Sequence, residues 1–251
     1  WRLPFLIAAP LGLVGLYLRW RLDETPAFKA LASAERAVHA PLGQTLREQG
    51  GAMCCLAAFI SLTALSFYMC TTYFVTYLQL QGGQPQPTAL LISLLTLLFA
   101  AACCPFAGRF SDRVGRRPTM LAAAAWLVLT IYPAFLLARS GVFLPALAGA
   151  FLLAIGAVLC GVVTAVLLSE VFPTRSRYTA SAITYNMAYT LFGGTAPLIA
   201  TWLIERSGDP LAPAYYLAAI ALFALAGGLS LPETAGRPLN HVSDVPANPL
   251  A

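Results

Sequence analysis

Charged positions along this chain come in short clusters separated by long apolar runs. Residues 49–108 carry no charge at all. A hydrocarbon core of roughly 30 Å takes about 20 apolar helical residues, so this run is too long for a single crossing. The GGQPQP stretch, Gly82 to Pro87, divides it, because glycine and proline punctuate helices. The predicted crossings are residues 3–18, 51–80, 88–107, 118–138, 141–169, 178–204 and 211–231. The first is short and relies on Arg2 and Arg19 snorkelling from its ends. The pattern predicts an all-α integral membrane protein with seven transmembrane spans. Residues 19–50 form the one long polar connector, in which a helix over 27–39 is expected at the membrane surface. Residues 232–251 form a polar tail.

Composition agrees with this layout. Only 10% of the 251 residues are charged and 59% are hydrophobic, whereas soluble domains run near 25% charged. The net charge of +5 does not imply nucleic acid, because the basic residues fall between apolar runs rather than along one face. Counted loop by loop, alternate connectors hold twelve Lys and Arg against two. The positive-inside rule then places the richer set in the cytoplasm. That puts the N-terminus of this chain outside and its C-terminus inside. The six cysteines, Cys54, Cys55, Cys70, Cys103, Cys104 and Cys160, lie inside apolar runs and read as small core residues, not as disulfides or metal ligands. No cofactor or metal is expected. There is no HExxH or GxSxG and no intramembrane Asp or His pair, which argues against an intramembrane enzyme. The chain opens on Trp1 and enters a span at residue 3, as a piece of something longer would.

The densest charge cluster is GRFSDRVGRRPTM, Gly108 to Met120, with four arginines and Asp112. It reads as a short loop between two spans. Gly108 and Gly115 permit a tight hairpin, and Pro118 suits the first turn of the next helix. A basic cytoplasmic loop explains the arginines but not the order G-x-x-S-D-R-x-G-R-R-P. That order resembles the signature loop of the major facilitator superfamily, which occurs between helices 2 and 3 and again between helices 8 and 9. The two spans between the long connector and this loop match it to the second copy. SEVFPTRSR, Ser169 to Arg177, is similar to the segment after helix 10 of that superfamily. YNMAYTLFGGTAPLIATWL, Tyr185 to Leu203, resembles helix 11 of its metabolite:proton symporter branch, and SFYMCTTYFVTYL, Ser66 to Leu78, resembles helix 7 of α-ketoglutarate permease-like members.

The resemblance implies a C-terminal six-helix bundle over 51–231, preceded by a helix 6 equivalent over 1–18 and a central loop over 19–50. The N-terminal half would be absent and would be a partner. An echo supports the repeat: RLDETPAF at Arg21 to Phe28 and LPETAGRPL at Leu231 to Leu239 both put Glu-Thr where a helix leaves the membrane, six spans apart. The implied function is proton-coupled uptake of a small carboxylate such as α-ketoglutarate in a bacterial-type inner membrane. A proline/betaine symporter, a shikimate/citrate-type symporter and an inactive fragment are the alternatives. The implied cytoplasmic gate or latch comprises Gly108, Asp112, Arg113, Gly115, Arg116, Arg117, Glu170 and Arg177. Glu170 and Arg113 are expected to pair within this half, while Asp112 is expected to await a partner in the missing half.

The spans after the connector hold no charge away from their ends. A buried titratable group is the usual coupling device, so coupling is expected in the absent half. Neutral hydrogen bonding remains. Tyr68 and Thr72 share a helix face, as do Tyr73 and Tyr77; the helix 11 equivalent offers Tyr185, Asn186, Tyr189 and Thr190. These residues are the candidate cavity wall for a small solute, with helix-interface packing as the plain alternative. Gly193, Gly194 and Pro197 are expected to let that helix bend or pack closely.

Overall fold

The computed structural model describes residues 3–21, 42–173 and 176–236. The expected helix over 27–39 lies outside them, as does most of the tail. The chain divides into two units, residues 1–39 and 40–251. The first contains α1, Leu3–Arg21, which at 1.5 Å per residue is roughly 28 Å long.

The regular structure among the second unit's described residues is all helical. Its elements are α2 (Leu42–Tyr68), a π-helical turn π1 (Met69–Tyr73), α3 (Phe74–Leu80), α4 (Gln86–Val114), α5 (Arg116–Ala138), α6 (Phe143–Glu170), α7 (Arg177–Ala188), π2 (Tyr189–Gly194), α8 (Ala196–Ser207) and α9 (Ala212–Leu229). Joined through their π turns, these make six helices long and apolar enough to cross a membrane. All six were predicted, with boundaries displaced outward at the charged ends. The connector assigned to 19–50 is already helical from Leu42. The loop assigned to 108–117 is mostly helix. α4 continues through Gly108 to Val114, and Gly115 alone breaks the path before α5. Gly108 therefore makes no hairpin, because a helix leaving the apolar layer keeps its hydrogen bonds in polar surroundings and need not stop at the first arginine.

Small residues let these helices approach closely. Built as alanine, Gly149 of α6 would strike the Ala134 carbonyl of α5, and Gly156 would strike Leu127. Without a hydrophobic drive between lipid-bathed helices, such close backbone packing does much of the holding. Trp126 of α5 adds an indole N–H bond to the Leu152 carbonyl of α6 at 3.0 Å. Thr63 of α2 and Thr164 of α6 share a buried hydroxyl contact of 2.7 Å. The core is largely alanine and leucine, with an aromatic knot of Phe74, Tyr77 and Phe135. Cys70 and Cys160 are buried as predicted, but Cys54 and Cys104 are exposed on the bundle surface; thiols are apolar enough to sit there.

Candidate functional site

Because the crossings alternate in direction, the α4–α5 turn, the end of α6, the start of α7 and the segment after α9 gather at one end of the bundle. Arg116, the first residue of α5, organises it. Its Nη1 donates to Asp112 Oδ1 at 2.6 Å and to Ser111 Oγ at 3.0 Å, and its Nη2 reaches Glu170 Oε1 at 3.5 Å. Its Nε lies 3.5 Å from Glu170 Oε2, an ion-pair distance without hydrogen-bond geometry. The Arg116 and Glu170 side chains are only 13% and 18% exposed, so their attraction is weakly screened.

Glu170 therefore meets Arg116, not Arg113. The reason is the turn. Gly115 directs Arg116 back across the bundle end, while Arg113 stays on an exposed face of α4. Asp112 has its partner inside this chain, though 66% of its side chain remains exposed. Arg177 begins α7, and its Nε donates to the Phe172 carbonyl at 3.2 Å, tying α7 to the end of α6. Arg117 Nη2 donates to the Leu229 carbonyl at 2.6 Å, satisfying one of the carbonyls left over at the end of α9.

Two residues of this end went unrecognised in the sequence, Glu233 and Thr234. Glu233 lies beyond α9 and folds back over the start of α5. Its carboxylate accepts the backbone N–H groups of Arg116 at 2.8 Å and Arg117 at 3.1 Å, and also those of Thr234 and Ala235. A carboxylate at a helix N-terminus satisfies orphan donors and faces the positive end of the helix dipole. Burial alone would raise the Glu233 carboxyl; the four N–H bonds, from Ala235, Arg116, Arg117 and Thr234, outweigh it and hold the group below its usual range. Thr234 Oγ1 donates to Glu170 Oε2 at 2.7 Å. The Glu-Thr pair of the internal echo was thus the available signal. Gly115 is required beneath it: its φ is +109°, and a Cβ there would lie 2.7 Å from Glu233 Oε2.

The candidate wall residues divide between two places. Both helices carrying them are interrupted by π turns at those residues, Met69–Tyr73 and Tyr189–Gly194, and such turns are frequent at functional sites. Pro197 accounts for the second. It has no N–H for the Gly193 carbonyl and its ring crowds that group, while the Thr195 hydroxyl caps the Leu191 carbonyl instead. At the first, Thr71 Oγ1 bonds the Phe67 carbonyl at 2.8 Å, a back-bond that bends helices. Tyr68 lies over Gly193, where a Cβ would come within 2.9 Å of its ring, so α2 and π2 meet there. Tyr185 and Tyr189 stack at 4.1 Å between centroids. Thr72, Asn186 and Thr190 are exposed on the bundle surface. The Asn186 amide donates to its own helix at Ala182, 2.8 Å away, leaving its carbonyl oxygen outward. Tyr73 does not join this group. It is buried and lines a cleft with Tyr77, Thr201 and Glu205.

Residues 34–245 match the family described as "Sugar (and other) transporter". The chain belongs to this family, within the major facilitator superfamily. It is accordingly an integral membrane chain of a transporter family. A "Proline/betaine transporter" of Salmonella typhimurium is 35% identical over 95% of this chain and 49% of its own length. The "Ectoine/proline transporter ProP" of Corynebacterium glutamicum is 34% identical over the same shares. The "Glycine betaine/proline/ectoine/pipecolic acid transporter OusA" of Dickeya dadantii is 35% identical, again with 95% and 49% covered. The chain spans about half the length of the curated relatives it matches. The turn at Gly115 is closed by an acid from beyond α9.

Proposed function

We propose that this chain supplies the C-terminal half of a secondary transporter that carries a small polar solute by alternating access. The observation that carries the proposal is the polar face on the two π-interrupted helices. Asn186 lies roughly 14 Å in from Arg177 at 1.5 Å per residue, deep in the span, and is exposed together with Thr72 and Thr190. Amides and hydroxyls at that depth are costly against lipid and suit a water-filled path. The latch end would then hold the cytoplasmic side closed, with the side assigned by the Lys and Arg count.

Among possible solutes, a zwitterion of the proline or betaine kind fits better than the dicarboxylate expected from the Ser66–Leu78 stretch. The relatives' names favour it. No lysine or arginine sits among the wall residues to meet two carboxylates, whereas stacked tyrosines offer ring faces to a cationic nitrogen. Proton coupling would reside in the half that relatives carry and this chain lacks.

The test is uptake of labelled glycine betaine, proline and α-ketoglutarate into vesicles under an imposed proton gradient. The protein should be expressed with whatever coding sequence precedes Trp1, beside the 251-residue chain alone. Betaine and proline uptake by the longer product, collapsed by an uncoupler, is expected. Uptake of α-ketoglutarate alone would restore the carboxylate reading. Uptake of none would discard the transport assignment, and uptake by the short chain would mean that one half suffices.

A further inference from the structure

Neither π turn is explained by its own helix alone. The Thr71 back-bond at π1 has counterparts at Ser61, Thr96, Thr130 and Thr184, and the backbone stays α-helical around each of them. A proline is equally insufficient at π2, since Pro105 and Pro133 lie inside α4 and α5 without a π turn. The remaining cause is tertiary, and the contacts between the two helices supply it.

Both flanks of π1 are held by the residues that shape π2. Tyr68, directly before π1, packs against Gly193, whose carbonyl lacks the N–H that position 197 would otherwise supply; a Cβ at Gly193 would lie 2.9 Å from the Tyr68 ring. Tyr73, the last residue of π1, sets its hydroxyl against that of Thr201 in α8. Thr201 Oγ1 in turn donates to the Pro197 carbonyl at 2.9 Å, so its oxygen accepts from Tyr73. One flank of π1 is thus tied to Gly193 and the other, through a single hydroxyl, to Pro197. In an unbroken α-helix residues 68 and 73 would diverge by about 140°. The extra residue in π1, closed by the Phe74 N–H on the Met69 carbonyl, lets both reach the one partner helix at different heights.

We infer that π1 and π2 are one conformational unit, formed together and lost together. Annealing either turn alone into α-helix would slide one part of its helix by about 1.5 Å and rotate it by about 100°. That movement pulls Tyr68 from Gly193 or Tyr73 from Thr201. These two crossings run in the same direction, being the first and fifth of an alternating set, so a paired one-residue shift keeps them in register. Thr72 lies in π1 and Thr190 in π2, and the paired change swings both exposed hydroxyls relative to the rest of their helices. This consequence for the polar face rests on the transport function proposed above; the coupling itself rests on packing.

The experiment is amide hydrogen exchange in lipid nanodiscs, using the protein expressed with whatever coding sequence precedes Trp1. Mass spectrometry would follow peptides covering residues 66–78 and 185–200. Pro197→Ala restores the N–H that closes an α-helical bond to Gly193. Exchange should slow about fivefold in both peptides, the scale of one hydrogen bond, although π1 carries no substitution. Thr201→Val cuts the link from Tyr73 to Pro197 and should quicken exchange of 66–78 about threefold. Pro105→Ala, at a proline without a π turn, should change neither peptide. Slowing confined to 185–200 in Pro197→Ala would overturn the proposal, as would no change in either peptide. Unchanged exchange of 66–78 in Thr201→Val would overturn it too. Circular dichroism checks folding, and Thr201→Val carries the test alone should Pro197→Ala not fold. Exchange is read without solute or gradient, so a failed uptake assay and a failed coupling test are distinguishable.

Discussion

The two ends of the bundle solve opposite problems. At the Arg116 end, Arg116, Glu170, Glu233, Thr234 and Asp112 form one connected set, and Glu233 alone accepts four N–H groups. At the other end, α3 and α8 leave an open cleft with a buried hydroxyl unpartnered, and π turns widen both helices between the ends. The contrast teaches where this bundle is rigid. A connected, fully satisfied polar set holds its elements in one arrangement. Widened helix turns with exposed hydroxyls can adjust around a solute.

The largest expected effect comes from removing the hub. Arg116→Ala removes the cation beside Glu170 and leaves it the Thr234 hydroxyl, and the loss should be about 3 kcal/mol, as for a broken buried ion pair. Thermal unfolding of the detergent-solubilised chain would measure it, and a loss below about 0.5 kcal/mol, typical of surface positions, would erase the contrast. Gly115→Ala comes next, at about 2 kcal/mol, from a φ of +109° and collision with Glu233. Coupling distinguishes its two causes: in a Gly115→Ala, Glu233→Ala double variant, the effects should fall short of additivity.

Glu233→Gln should cost about 1.5–2 kcal/mol, the low end of the scale for hydrogen bonds to a charged group, and its pH dependence has a definite sign. The folded-state carboxyl is held below its reference value of 4.5. Its contribution is therefore complete above pH 4.5 and lost as pH falls through the lowered value. The stability gap between wild type and Glu233→Gln should close in acid and persist at neutral pH; a gap independent of pH would sharpen the case for shape over charge. Asn186→Leu should change stability by less than about 0.5 kcal/mol while reducing uptake by the longer product. Stability loss with unchanged uptake would assign Asn186 to packing.

Much of this was legible in the chain. Six crossings followed from charge-free runs, because twenty apolar residues have few alternatives to spanning a membrane. The order of glycines, arginines and Asp112 resembled the signature loop. What the sequence hid was geometry that depends on helix phase. Arg113 and Arg116 are three residues apart and equally charged, and only the Gly115 turn decides which faces Glu170. Glu233 acts on backbone amides 116 positions away, a contact that no local pattern encodes. Pro197 foretold a disturbance in its helix, but nothing local in Met69–Tyr73 announced the matching π turn. Tyr68 and Tyr73 are five residues apart, about 140° around a regular helix, so their two face-sharing pairs reach different places.

The central claim is that Glu233 clamps the start of α5, and amide hydrogen exchange tests it most directly. First-turn amides of a helix normally lack acceptors. Those of Arg116 and Arg117 should nevertheless exchange slowly, unlike Phe143 and Leu144 at the uncapped start of α6, and should lose that protection in Glu233→Gln. Fast exchange of all four amides in the wild type, or protection that survives the substitution, would contradict the account.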